Sequence, residues 1–270
     1  MHFGIEVVPF GPYSDPRRIL KLAVAAENAH WEAIWLWDHI LCPFGAGDPW
    51  IALAAVAAST NNLKLVTGVA PISRYRPYLL ARMLAGLDIL SNGRVIFGMG
   101  LGIPSDFAPF GEPADYRTRA EMADEGLDLL SRLLSGELLS HQGKHYKAQE
   151  VRLVPCARQQ PRIPVWIGGS SRAALRRAAK WDGWIIGTIN ELQDIITTPE
   201  RLAEQIAYIR QNRGVSGCFE VAVDGISRPD DSSLAQKYEE SGATWWFESI
   251  FPLRGSEEDM LELVRAGPPG

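Results

Sequence analysis

Residues 63–102 read LKLVTGVAPISRYRPYLLARMLAGLDILSNGRVIFGMGLG, and this stretch holds the unit from which the rest of the chain is built. Leu63–Ala70 is a short, continuous apolar run, as expected of a parallel strand covered on both faces. Leu80, Met83, Leu84 and Leu87 follow at i, i+3, i+4 and i+7, one apolar stripe along a helix. Gly93 falls where that helix should stop. Arg94–Gly100 is then a second apolar run like the first.

The same alternation extends in both directions. Further strands read at His2–Pro9, Ala33–His39, Pro164–Gly168, Gly183–Gly187, Phe219–Ile226 and Thr244–Ile250, which makes eight in all. Helices between them carry start signals. Asp15-Pro16, Asp48-Pro49 and Thr198-Pro199 pair an N-cap with proline at the first helical position, and Ser256 with Asp259 resembles a capping box. Gly136, Gly214 and Gly267 sit at expected helix ends. Eight βα alternations predict a closed barrel or a doubly wound sheet. The count, and the lack of GxGxxG after the first strand, favour an α/β fold of the single (β/α)8 TIM-barrel type spanning residues 1–270. Two insertions break the rhythm. Ile103–Thr118, after the fourth strand, is expected to be a loop over the barrel mouth. Glu137–Arg162, before the fifth, contains QGKHY and VRLVP and is expected to form a hairpin around Gly143.

The bulk numbers narrow the function. The chain has 270 residues, 46% hydrophobic and 22% charged, with a formal charge of −5, so a large core is available and no basic stripe argues for nucleic acid. No apolar run has the ~18–20 residues needed to span a bilayer, and the first ten residues read as a strand, not a signal peptide. Three scattered cysteines, Cys42, Cys156 and Cys218, suit a reducing cytoplasm without disulfides. Nine tryptophans fit a packed core or an aromatic-ring site.

In such a barrel the reacting groups come from the carboxyl ends of the strands. The second strand ends in Trp37-Asp38-His39, where a carboxylate and an imidazole can bind a polar edge and move protons, or merely cap a loop. After the third strand come Gly68-Val69 and then Arg74 and Arg76, able to bind anions or to sit on the surface. The fourth runs into Gly98, Gly100 and Gly102, which either let something flat approach the backbone or form a tight turn. The fifth ends in Gly168-Gly169-Ser170-Ser171 before a helix, a possible phosphate site or a helix start capped by Ser171. Glu248, on the eighth strand, could be an acid, a base or an arginine's partner, and would repel Glu6 or share a proton with it if both point inward. Five histidines show no metal-ligand spacing, no GxSxG, HExxH or Walker motif is present, and Cys42 reads as structural.

Taken in order, AIWLWDH, residues 63–102, FGEPADYRTRAEMADEGLDLLSRLLSGE, QGKHY and PRIPVWIGGSSRAALRRAAKWDGWIIG resemble the bacterial luciferase-like superfamily over about residues 2–190. The resemblance implies reduced FMN or coenzyme F420 at the barrel mouth, with FMN slightly preferred. It implies that Asp38 contacts the coenzyme and that His39 transfers a proton. Gly68-Val69 would form a bulge against the ring, often with a cis peptide. Gly98, Gly100 and Gly102 would lie beside the ring, and Gly168, Gly169 and Ser170 would cradle a phosphate. Some F420-dependent relatives place a glutamate after the fourth-strand glycines. Here that position is Ile103, so the acid that pairs with His39 is absent or comes from elsewhere, with Glu248 the named candidate. Phe107 and Phe110 in the following loop suggest a less polar substrate.

The expected function is therefore a flavin- or F420-dependent oxidoreductase or monooxygenase acting on a small organic molecule. A homodimer and a separate flavin reductase are expected as partners. The alternatives are a non-catalytic flavin-binding barrel, favoured by Ile103, and a metal-dependent hydrolase built on Asp38 and His39.

Overall fold

Eight parallel strands close on themselves in the computed structural model, which describes residues 1–190, 192–227 and 231–269. They are β1 (His2–Val7), β2 (Ala33–Leu36), β3 (Lys64–Pro71), β4 (Val95–Gly100), β7 (Val165–Gly168), β8 (Gly183–Ile186), β9 (Glu220–Gly225) and β10 (Trp245–Ile250). The barrel runs β1-β10-β9-β8-β7-β4-β3-β2. Helices α1 (Pro16–Asn28), α2 (Pro49–Ser59), α3 (Pro77–Leu90), α4 (Tyr116–Leu134), α5 (Arg172–Ala178), α6 (Pro199–Asn212), α7 (Ser233–Glu240) and α8 (Glu257–Ala266) lie between the strands. This is the TIM barrel expected from the eight apolar runs, with each strand ending within three residues of its expected limits.

The local signals act as read. Asp15, Asp48 and Thr198 accept amide hydrogens at the starts of α1, α2 and α6, and Ser256 and Asp259 complete a capping box on α8. Gly214 is the exception. It does not have a positive φ, because α6 ends at Asn212 with Arg213 already extended. The hairpin exists as β5 (Leu139–Gln142) and β6 (Lys147–Val151). Its turn is made by the GKHY of QGKHY, and of VRLVP only Val151 joins an arm. Glu125 on α4 fixes that turn. Its carboxylate accepts from the amides of His145 (2.9 Å) and Tyr146 (2.8 Å) and lies 3.0 Å from Nε2 of His141, and these bonds hold its pKa below the usual range despite some burial.

Alternation along each strand divides the apolar residues between two cores. Outward residues such as Ile5, Leu36, Val95, Trp246 and Ile250 meet the helices. Inward residues, among them Trp35, Val66, Ile96, Trp166, Trp245 and Phe247, fill the lumen. The rings interlock, with Trp35 edge-on to Phe247 at 5.3 Å and Trp245 stacked on Phe247 at 5.7 Å. This aromatic plug seals the barrel below its carboxyl end, so ligand chemistry has one mouth. No helix among the described residues is long and apolar enough to cross a membrane.

Candidate active site

The segments picked from the sequence as rim elements all lie at the carboxyl ends of the parallel strands and therefore share one mouth. Asp38 and His39 follow β2. Asp38 is almost fully buried, and two groups hold its carboxylate. Arg74 pairs with Oδ1, the Tyr75 hydroxyl donates to Oδ2 at 2.6 Å, and the Trp50 indole in turn donates to the Tyr75 oxygen at 2.9 Å. Burial pushes the Asp38 pKa up, and Arg74 and Tyr75 only partly reverse that. Burial pulls Arg74 down, but Asp38, Tyr75 and Asp106 outweigh it and leave it raised. Arg74 is thus committed to Asp38 and is not a free anion-binding group.

His39 finds its acid in the loop after β4. Asp106 Oδ2 sits 2.7 Å from His39 Nδ1, with the His39 side chain 22% exposed and that of Asp106 fully buried. The other oxygen, Oδ1, accepts from the amides of Leu41 (3.1 Å) and Ile40 (3.4 Å), and Arg74 Nη1 lies 3.8 Å from Oδ2. Phe10 and Trp37 flank the imidazole, each with ring centroids 5.8 Å away. A carboxylate fixed on Nδ1 orients the ring and leaves Nε2 for proton exchange. The family resemblance places this acid directly after the glycines, where Ile103 stands. It lies three residues further on, and a Pro-Ser-Asp turn before an aromatic was the only local signal.

Glu248 does not join His39. It alternates outward with Trp246 and Ile250, pairs with Arg254 at 2.5 Å, and accepts from the Ser227 hydroxyl (2.6 Å) and the Trp246 indole (3.0 Å). It ties β10 to neighbouring loops. Nor does it share a proton with Glu6, whose carboxylate is inside the barrel and accepts from Ser249 (2.7 Å) and Trp37 (2.5 Å). The acidic neighbour of Glu6 is Asp224 on β9. Burial first, and Asp224 second, push the Glu6 pKa well up. Burial also raises Asp224, to about 6, against hydrogen bonds from Thr188. No sequence signal marks this pair, because β1 and β9 come to lie on either side of β10 only when the barrel closes.

The Gly68–Val69 peptide is cis, at a break in register between β3 and β4. The glycines around it make room for the protein's own chain. A Cβ on Gly100 would lie 2.2 Å from Val69 Cγ2, one on Gly168 2.6 Å from Val69 Cγ1, and one on Gly98 1.8 Å from the Thr67 carbonyl oxygen. Gly102, with φ +67°, faces the Phe107 ring. These glycines therefore seat the β3 bulge across the mouth, an indirect version of the close approach expected from their spacing. Phe107 is buried and Phe110 is exposed, so neither lines an open apolar wall.

After β7, Gly169 has φ +103°. Its carbonyl accepts from the Trp184 indole at 2.9 Å, and the Ser170 carbonyl accepts from Gln205 at 3.4 Å. Among the described residues, no oxygen accepts from the amides of Gly169 and Ser170. Ser171 caps α5. Among the described residues, no cluster of three metal-ligating side chains is present.

Comparison with known proteins agrees with the fold. A family model described as luciferase-like monooxygenase matches residues 1–236. An F420-dependent hydroxymycolic acid dehydrogenase of Mycobacterium tuberculosis is 34% identical over 190 residues, covering 67% of this chain and 52% of the relative; the chain thus spans about half that protein's length. Among solved structures, the F420-dependent tetrahydromethanopterin reductase of Methanopyrus kandleri superposes with a TM-score of 0.79 at 18% identity, covering 98% of this chain and 97% of the other. The monooxygenase RslO1 of Streptomyces bottropensis gives the same TM-score and coverage at 20% identity. At such identities these two establish the fold alone.

Proposed function

The chain belongs to the luciferase-like monooxygenase family, and from that premise we propose that it is an F420-dependent oxidoreductase exchanging a hydride with a small organic alcohol or carbonyl compound. The observation that carries the reading is the His39–Asp106 pair at 2.7 Å on the rim. The sequence alone slightly prefers FMN; the F420-dependent relative at 34% identity favours the deazaflavin.

The mouth fits such a coenzyme. The half-buried Val69 bulge offers a flat apolar ledge beside the strand ends. The amides of Gly169 and Ser170, which donate to no oxygen among the described residues, suit a phosphate. When bound, the deazaflavin supplies two-electron hydride chemistry. The residues do the rest. Asp38, held by Arg74 and Tyr75, anchors the rim. The imidazole of His39 holds or takes the substrate hydroxyl proton at Nε2, and Asp106 stabilises the imidazolium that results. Trp37 and Phe10 shield the ring from water. Ile103 no longer favours a non-catalytic barrel, because the acid it failed to provide is supplied by Asp106.

The test is equilibrium titration of the apo protein with F420 and, separately, with FMN. Tenfold tighter F420 binding, a difference of ~1.4 kcal/mol, is the expected result. Tighter FMN binding, with substrate oxygenation by O2, would replace the dehydrogenase reading with the monooxygenase one.

A further inference from the structure

Arg119, in the first turn of α4, is fully buried, yet its Nε, Nη1 and Nη2 have no hydrogen-bond partner among the described residues. A guanidinium does not lose its proton in a protein, so a charge and its donors are left uncompensated, an arrangement that is strongly unfavourable unless a counter-group arrives. Another buried arginine of this chain shows the usual solution. Arg94 donates to the carbonyls of Ser91, Leu63, Ala57 and Thr60 and to the Thr60 hydroxyl, all within 2.9 Å.

What surrounds Arg119 is aromatic. Its guanidinium carbon lies 4.4 Å from the centroid of Phe107 and 4.5 Å from that of Tyr116. Cation–π contacts engage the faces of the guanidinium. Its in-plane edge, which carries the donors, matches a carboxylate or phosphate in bidentate fashion. Asp115 lies near enough to be affected by the Arg119 charge, but its carboxylate caps α4 through the Thr118 amide at 2.8 Å.

The location adjoins the mouth. The Phe107 ring packs between Arg119 and Gly102, just past the end of β4. Phe107 is also the neighbour in sequence of Asp106, the partner of His39. Tyr116, the outer cover of one face, is 54% exposed, so a rotation of one surface side chain would uncover the guanidinium on that side.

We propose that Arg119 is an oxyanion anchor, so that the substrate carries a carboxylate or phosphate which docks between Phe107 and Tyr116 while its reacting carbon faces His39. This rests on the reading that the mouth takes the substrate. The test below uses no turnover, so it can fail while that reading stands.

The Nε–Hε resonance of Arg119, assigned by its loss in Arg119→Met, is followed by NMR during titration with benzoate and, separately, inorganic phosphate. A saturable shift with one of them, weakened at least about tenfold in Arg119→Lys (~1.4 kcal/mol), is expected because lysine keeps the charge but loses the fork. Should Arg119→Met fold poorly, Arg119→Lys carries the assignment and the comparison. The titration is repeated with F420 bound. A response that persists supports a substrate anchor, and one that F420 abolishes gives the site to the coenzyme's own anionic tail and overturns the proposal. No response to either anion, in the native chain or in Tyr116→Ala, also overturns it and leaves Arg119 as a packing element between two rings.

Discussion

Asp106 and His39 lie 67 positions apart in the chain and meet at 2.7 Å, with one carboxylate oxygen on the imidazole and the other held by the amides of Ile40 and Leu41. The acid therefore fixes both the ring and the backbone that presents it.

Asp106→Asn keeps the size of the side chain but removes the charge that would stabilise a protonated His39. We expect kcat to fall by about 10²-fold, the lower end of what a positioned acid or base contributes, with coenzyme affinity within a few-fold. His39→Ala should lose at least as much. Unchanged turnover in His39→Ala would remove that residue from the proton path.

Asp38 is balanced by one buried cation, so Arg74→Met leaves its carboxylate with only the Tyr75 hydroxyl against the cost of burial. Breaking one side of such a pair typically costs about 3–5 kcal/mol. Chemical denaturation of Arg74→Met should show a loss in that range. The double variant with Asp38→Asn should recover part of it, since the two effects share one interaction.

Gly100 and Val69 are expected to be coupled. Gly100→Ala places a methyl group 2.2 Å from Val69 Cγ2, which the bulge can accept only by moving. Overpacking of this kind costs about 1–3 kcal/mol. Gly100→Ala should destabilise the chain and weaken coenzyme binding. Adding Val69→Ala should restore much of the loss, and a strictly additive double variant would show that the wedge is not what the glycine serves.

The buried carboxyls give a pH signature of unusual sign. Asp224 is raised by burial to about 6, above its unfolded value, so the folded state holds a proton that the unfolded state has released. Stability from this group is present below the unfolded pKa and is lost as pH rises through about 6. The slope approaches ~1.4 kcal/mol per pH unit. Denaturation curves of the native chain and Asp224→Asn between roughly pH 4 and 7 should diverge accordingly, with the variant the flatter of the two.

The barrel was legible because its strands are apolar on both faces and its helices begin at capped prolines, which are local facts. Asp38, His39 and the glycine-rich strand ends were legible because a closed parallel barrel has one reactive rim. What escaped the sequence depends on contacts between distant segments. Asp106 reaches His39 only through the fold of a long loop. Glu248 turns outward by strand parity, which a strand boundary misread by one residue would reverse. Glu6 meets Asp224 past the intervening strand β10 inside a closed barrel, and Arg119 reads as one arginine among several on a charged helix face.

The aromatic plug has an optical consequence. Trp35, Trp166 and Trp245 lie in the lumen beneath the mouth, where a bound isoalloxazine-like ring would be within range of energy transfer from their indoles. The native protein thus carries its own reporter of occupancy, and loss of its ultraviolet emission would follow each binding event without any attached dye.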